Sequence, residues 1–212
     1  MMNNQSNNKV TIKGKISSGF TFDHELYGEK FYKFYVDVRR FSETIDTIPC
    51  LVSERLMDIT KDMSGEYVNI KGEFRSYNKY YGNGDKFKLI LLVFVKDINF
   101  DDDIDDNKYC KYNNRADLIG YIVKEPTFRK TPMGREISDV LLAVNRDNKK
   151  SDYIHCICWG RDAKFVSSLA VGSKVKTIGR IQSRDYIKKL SEDECITKTA
   201  YEVSINVIEL LD

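Results

Sequence analysis

Between residues 116 and 210 the apolar positions fall into short runs of two different periods. Ala116–Val123, Glu136–Asn145 and Ser173–Arg184 are rich in β-branched and aliphatic residues and predict strands, as does Asp152–Trp159, where polar and apolar residues partly alternate. Thr199–Leu210 predicts another, with Tyr201, Val203, Ile205 and Val207 on one face. Gly160–Ala170 changes period. Ala163, Val166 and Leu169 or Ala170 fall at helical spacing, and Gly172 supplies a stop. Thr127–Gly134, with the Pro-containing turns Glu125-Pro126 and Thr131-Pro132, reads as a loop.

The first half follows the same order. Lys9–Ile16, Lys30–Arg40, Thr44–Val52, Glu66–Ser76 and Lys86–Lys96 predict strands, and about Ser53–Met63 a helix. At a shift of 106 residues Gly14 falls on Gly120, Gly28 on Gly134, Arg40 on Arg146, Asp46 on Asp152, Ile48 on Ile154 and Cys50 on Cys156. One residue further, Gly65 falls on Gly172, Val68 on Val175, Gly72 on Gly179 and Ser76 on Ser183. A period this long is too great for a solenoid unit and suits a duplicated small domain. Five strands with a helix between the third and fourth is the order of the OB-fold, a partly open Greek-key barrel. The expectation is an all-β chain with short helices: a first OB-fold over 1–96, an acidic linker over 97–114 and a second OB-fold over 115–212.

Composition refines this. A hydrophobic fraction of 42% supports packed cores. There are 13 Tyr and 11 Phe but one Trp, and a surplus of amphipathic Tyr marks contact surfaces. No apolar run approaches the roughly 20 residues of a membrane span, and MMNNQSNN lacks the apolar core of a signal peptide, so a cytoplasmic protein without a membrane partner is expected. The five Cys have no zinc-type spacing and read as reduced thiols. Net charge is +2 but unevenly spread: +3 over residues 1–96, −6 over 97–106 and +5 over 107–212. Two mildly basic modules therefore flank an acidic joint, whose charges repel one another and keep it solvated.

Little in the chain suggests catalysis. Its two His occupy unrelated positions in the repeat, and His155 reads as an ordinary strand residue. No phosphate-loop glycine pattern or nucleophile elbow is present. The DDDIDD run lacks the Gly and spaced Glu of a calcium loop and reads as a charged spacer. Cys156 and Cys158, two apart in a strand, share a face and read as packing residues, as does Cys50 at the equivalent position. No enzyme, cofactor or metal is expected.

Aromatic residues interleaved with basic ones stand out instead. Arg75, Tyr77, Lys79, Tyr80 and Tyr81 form one such run, at the end of the first repeat's fourth strand and into a hairpin. Arg180, Arg184, Tyr186, Lys188 and Lys189 form another at the matching place in the second. Single-stranded nucleic acid calls for this mixture, because cations neutralise phosphates and aromatic faces stack on any base.

The second repeat closely resembles the bacterial single-stranded-DNA-binding protein family in its tandem version. The resemblance is carried by Asp117–Gly134 (DLIGYIVKEPTFRKTPMG), Leu142–Arg146, Asp152–Ala163 (DYIHCICWGRDA), Gly172–Val175, Gly179–Tyr186 (GRIQSRDY) and Tyr201–Val203. It implies stacking by Tyr153, Trp159 and Tyr186, with Arg129, Arg146, Arg161 and Arg184 on phosphates and Lys188 beside them. Arg40, equivalent to Arg146, joins the candidates. The first repeat resembles the family more weakly, and Thr47 and Ser53 stand where Tyr153 and Trp159 would be. Tyr77, Tyr80 and Tyr81 are candidates to compensate, and the Phe31, Tyr32, Phe34 and Tyr35 cluster partly serves packing. The chain ends at Glu209-Leu-Leu-Asp212 without the family's acidic tail, while Phe100–Asp106 resembles that tail's tip, with a solvated linker as the default reading.

The resemblance implies a non-enzymatic protein that coats single-stranded DNA in replication, recombination or repair, as a homodimer presenting four barrels, with replication or repair proteins as possible partners. The alternatives are a protein–protein assembly module of OB-fold type and an RNA-binding OB protein, since stacking does not separate RNA from DNA.

Overall fold

The structure, a computed structural model, describes residues 6–81, 86–100, 113–189 and 195–211. The linker residues 101–112, including most of the segment likened to an acidic tip, lie outside them. Among the described residues twelve strands form one continuous sheet. The first repeat contributes β1 (Asn8–Ile16), β2 (Thr21–Leu26), β3 (Glu29–Arg39), β4 (Ile45–Ser53), β5 (Tyr67–Tyr81) and β6 (Lys86–Phe100). The second contributes β7 (Asn114–Ile122), β8 (Thr127–Lys130), β9 (Glu136–Asn145), β10 (Ser151–Trp159), the helix α1 (Gly160–Ser167), β11 (Lys174–Lys189) and β12 (Cys195–Leu211).

In the first repeat the neighbours run β3-β4-β6-β5-β1, and a β1–β3 pairing closes the ring. In the second they run β9-β10-β12-β11-β7, closed by β7–β9. One pairing in each ring is parallel, Cys50 opposite Val93 and Cys156 opposite Val203. Both units are five-stranded OB barrels. Their interiors hold the fully buried Phe34, Ile48, Ile70 and Phe74 in the first and Leu118, Leu142, Ile154 and Ile181 in the second. Cys50, Cys156 and Cys158 are buried free thiols, and burial pushes the Cys158 thiol up to about 12, so they serve packing.

The paired glycines have a steric cause. A Cβ on Gly14 or Gly120 would collide with the backbone oxygen of Asp37 or Ala143, where each ring closes. A Cβ on Gly72 or Gly179 would collide with that of Phe94 or Ser204, beside a β-bulge in the long hairpin. The bulge also corrects one sequence expectation. The register steps from Ile178–Val207 to Gly179–Ile205, so Asn206 is the extra residue. Val203 and Ile205 face the core, but Val207 emerges and Ile208 takes its place inside.

Three further expectations change. The predicted helix over 53–63 is a series of turns. The Asp58 and Asp62 carboxylates accept from the amides of Thr60 and Ser64, and the Ser53 hydroxyl from that of Arg55, so local side-chain bonds outcompete the helix. Among the described residues α1 is the helix of the chain. The predicted loop over 127–134 contains the strand β8, paired with β9, and its counterpart β2 pairs with β3 through a tight turn at Tyr27-Gly28, both at positive φ. The hairpin strands are also longer than predicted, because β5–β6 and β11–β12 continue pairing beyond the barrels.

A second antiparallel ladder joins the barrels. β1 pairs with β7, Asn8 opposite Leu118, Val10 opposite Ala116 and Ile12 opposite Asn114. Val10 faces the residue 106 positions further on, so the seam has a pseudo-two-fold axis there. The Asn8 side-chain amide extends the β1–β5 ladder, donating to the Phe74 carbonyl at 2.8 Å and accepting from its amide at 2.9 Å. Asn114 does the same to Ile181 at 2.7 and 2.9 Å.

Candidate nucleic-acid interface

The outer face of β10 presents Tyr153, His155 and Trp159, while Ile154, Cys156 and Cys158 point inward. Trp159 is 37% exposed, and its indole N–H donates to the Ser204 hydroxyl on β12 at 3.0 Å, which fixes the ring while leaving a face open. Tyr153 is 47% exposed, and its backbone amide donates to the Ser76 hydroxyl of the first barrel. Tyr121 lies in the same cross-strand row through Ala143, and Phe128 projects from β8, itself 40% exposed. Sequence reasoning missed Tyr121, Phe128 and His155. The first two lay in segments assigned to a core strand and a loop, and only cross-strand register makes them neighbours of the β10 face.

Tyr186 stands on the β11–β12 hairpin, which crosses to the first barrel. There it lines a cleft of about 510 Å³ with Tyr35, Tyr201, Lys33, Lys88, Lys198 and His155. The Lys33 ammonium lies 4.9 Å from the centre of the Tyr35 ring. Burial, with Tyr35 nearby, raises the Tyr201 phenol to about 12, and burial and the Lys124 charge lower the His155 imidazole. Both groups are therefore neutral near pH 7. Lys188 and Arg184 are exposed on the same hairpin, and Arg184 has only a loose 3.7 Å contact with Glu202. Arg161 is exposed at the start of α1.

The other expected phosphate contacts are placed differently. Arg129 is exposed but paired with Asp139 at 2.7 Å. Arg146 and Arg40 face the seam. Arg146 binds Asp152 through two nitrogens at 2.5 and 2.8 Å and donates to the Ser76 carbonyl of the first barrel at 3.1 Å. Arg40 binds Asp46 at 2.5 and 2.6 Å and donates to the Ser183 carbonyl of the second at 3.3 Å. Asp152 and Asp46 in turn accept from the amides of Ser76 and Ser183 at 2.6 and 2.7 Å. Both carboxylates are buried, and the hydrogen bond to its aspartate raises the pKa of each arginine further. Each barrel grips a serine of the other by the same reciprocal clamp, which uses the donors assigned from sequence to phosphate.

In the first barrel Thr47 donates to Asp37 at 2.7 Å, and Ser53 hydrogen-bonds Glu29. The aromatic surface has moved one strand. Phe94 occupies the position of Ser204, so the pair Trp159 and Ser204 becomes Ser53 and Phe94. The Arg75 guanidinium covers the Phe94 ring at 3.7 Å and is held by Glu73 at 2.7 Å. Tyr77 packs against Phe31, Leu51 and Leu92. Lys79 and Tyr80 are exposed on the β5–β6 hairpin, where Tyr80 lies 6.1 Å from Phe87. Tyr81 closes β5, and its side chain lies outside the described residues.

The second barrel thus presents two exposed aromatic side chains on one face, a third on its hairpin and cations around them. Residues 113–211 match the model of the single-strand binding protein family. The match covers the second barrel. Over 103 residues it is 33% identical to single-stranded DNA-binding protein A of Bacillus subtilis (strain 168), covering 45% of this chain and 59% of that protein. It is 38% identical over 80 residues to single-stranded DNA-binding protein 1 of Staphylococcus aureus (strain COL), covering 34% and 48%. The chain thus spans about half the length of these curated relatives. The crystal structure of the wild-type single-stranded DNA binding protein from Thermus aquaticus superposes with a TM-score of 0.71 at 16% identity, over 97% of this chain and 93% of that one, so the fold similarity extends to both barrels. Among the described residues no helix is long and apolar enough to cross a membrane.

Proposed function

We propose that the chain binds and coats single-stranded DNA with little sequence preference, as a non-catalytic cytoplasmic protein serving replication, recombination or repair. The observation that carries the reading is the outward presentation of Tyr153, Trp159 and Tyr186 by the second barrel, with Arg161, Arg184 and Lys188 exposed on the same barrel. Such a surface stacks bases without reading their edges and neutralises the backbone between them. The first barrel contributes less, since its Phe94 is covered by Arg75. A homodimer presenting four barrels, two from each chain, rests on resemblance to the family.

The test is a titration of the full chain with dT oligomers, mixed-sequence single strands, oligo(U) and duplex at several NaCl concentrations, followed by Trp159 fluorescence. The expected result is similar affinity for dT and mixed single strands, weaker binding to duplex, and affinity that falls with salt by about 0.7 log unit per log unit of NaCl for each phosphate contacted. Equal affinity for duplex, or no salt dependence, would overturn the reading. Preference for oligo(U) would assign RNA instead.

A further inference from the structure

The pseudo-two-fold seam produces two equivalent clefts, and their charges differ. Beside the second barrel's Trp159 a cleft of about 600 Å³ is lined by Arg40, Arg135, Arg180 and Arg184, with no carboxylate on its wall among the described residues. In its counterpart beside the first barrel, Glu73 stands where Arg180 stands, Arg75 where Gln182 stands and Lys96 where Asn206 stands. Glu73 pairs with both Arg75 and Lys96, and Asp147 and Asp152 join it on the wall. That cleft neutralises itself.

Arg180 has no such partner. Its guanidinium makes no ion pair among the described residues, its Nε is buried without a hydrogen-bond acceptor, and Asp46, whose charge acts on it, is already bound by Arg40. Burial and the Arg40 charge both disfavour its charged form. A half-buried cation held beside a second cation and left unpaired is costly unless an anion arrives. Trp159 opens onto the same cleft, so an anion seated there lies next to a stacked base.

We propose that the Arg180 cleft is a backbone-phosphate site at which a single strand crosses the seam from the second barrel toward the first, while the Glu73 cleft refuses the same crossing. The inference rests on the single-strand reading above and deepens it, since it gives the tandem chain one-sided traffic between barrels that a symmetric pair would lack. Arg40 belongs to the first barrel, so the site exists only because the two are joined.

The experiment compares the salt dependence of dT binding for the full chain and for Arg180→Gln, Arg180→Lys, Glu73→Gln and Trp159→Ala. Arg180→Gln should weaken binding several-fold and reduce the slope of log affinity against log NaCl by about 0.7, the loss of one phosphate contact. Arg180→Lys should keep the slope. Glu73→Gln should release Arg75 and Lys96 and increase both affinity and slope. Unchanged slopes for Arg180→Gln and Glu73→Gln, with binding still weakened by Trp159→Ala, would overturn the crossing site and leave the single-strand reading intact. Binding indifferent to both Trp159→Ala and salt would overturn the reading itself. If Arg180→Gln does not fold, Glu73→Gln decides alone, because an unaltered slope there removes the asymmetry.

Discussion

The backbone amide of Tyr153 donates to the side-chain hydroxyl of Ser76 at 2.8 Å, across the seam between the two barrels. A residue of the first barrel therefore sets the position of an exposed aromatic residue on the second. The same serine gives its amide to Asp152 and its carbonyl to Arg146, so one residue links the clamp to the exposed face of β10. Its equivalent, Ser183, is held by Asp46 and Arg40, but there the neighbouring β4 residue is Thr47, turned onto Asp37. The duplication kept the clamp in both copies and the exposed tyrosine beside it in one.

The clamps should dominate the stability of the seam. Asp152→Asn and Asp46→Asn each leave a half-buried arginine without its carboxylate, and each is expected to cost about 3–5 kcal/mol. Chemical denaturation of the two variants would measure it. Similar losses at both sites are expected, because the geometry is equivalent, and a loss below about 1 kcal/mol at either would remove that clamp from the account.

The platforms should contribute unequally to binding. Trp159→Ala combined with Tyr186→Ala should weaken dT binding by about 1–3 kcal/mol per lost stack. Tyr80→Ala combined with Phe87→Ala, an exposed pair on the first barrel's hairpin, should cost much less. Isothermal titration of both double variants ranks them, and the reverse order would place the principal site on the first barrel.

Ser76→Ala removes only the hydroxyl that holds Tyr153, leaving the main-chain links to Asp152 and Arg146. It should lower stability by about 1 kcal/mol and reduce affinity for single strands together with it. An affinity equal to the parent's would show that Tyr153 needs no support from the first barrel.

His155 predicts a pH dependence. Its folded-state pKa lies below the ordinary 6.5, through burial and the Lys124 charge, so the unfolded chain binds the proton more readily. The contribution of His155 to stability is present above pH 6.5 and is lost as pH falls through the lowered value. A bound polyanion reverses this preference by favouring the imidazolium in the cleft it shares with Tyr186. Affinity for dT should therefore rise below pH 6.5 while the free protein becomes less stable, and His155→Gln should flatten both trends. Stability curves and titrations between pH 5 and 8 would measure them together.

The full chain should sediment as a dimer of its 24.6 kDa protomer at micromolar concentration, the expectation carried by family resemblance. A monomer would restrict binding to the two barrels of one chain, with sites of roughly 4–16 nucleotides each.

The sequence by itself determined the duplication, the barrel order and which aromatic residues the second barrel offers as candidates. Glycines at ring closure and beside the bulges admit no side chain, so Gly14 and Gly120, and Gly72 and Gly179, recur visibly at one spacing. Strand periodicity follows from which residues face a core, and it located most of the strands. Where local bonding competed with period, as at Asp58 and Asp62, the sequence misled and a helix became turns. The tertiary structure alone decided what the matched arginines do. Arg40, Arg146 and Arg184 are alike in sequence, each a basic residue near a strand end. Only the β1–β7 seam brings a serine of one barrel against an Arg–Asp pair of the other, turning the first two inward and leaving the third exposed. Likewise, Arg180 and Glu73 are separated by more than a hundred residues. Their opposite roles arise because a pseudo-two-fold axis places them in equivalent clefts, a relationship of space that neither strand encodes.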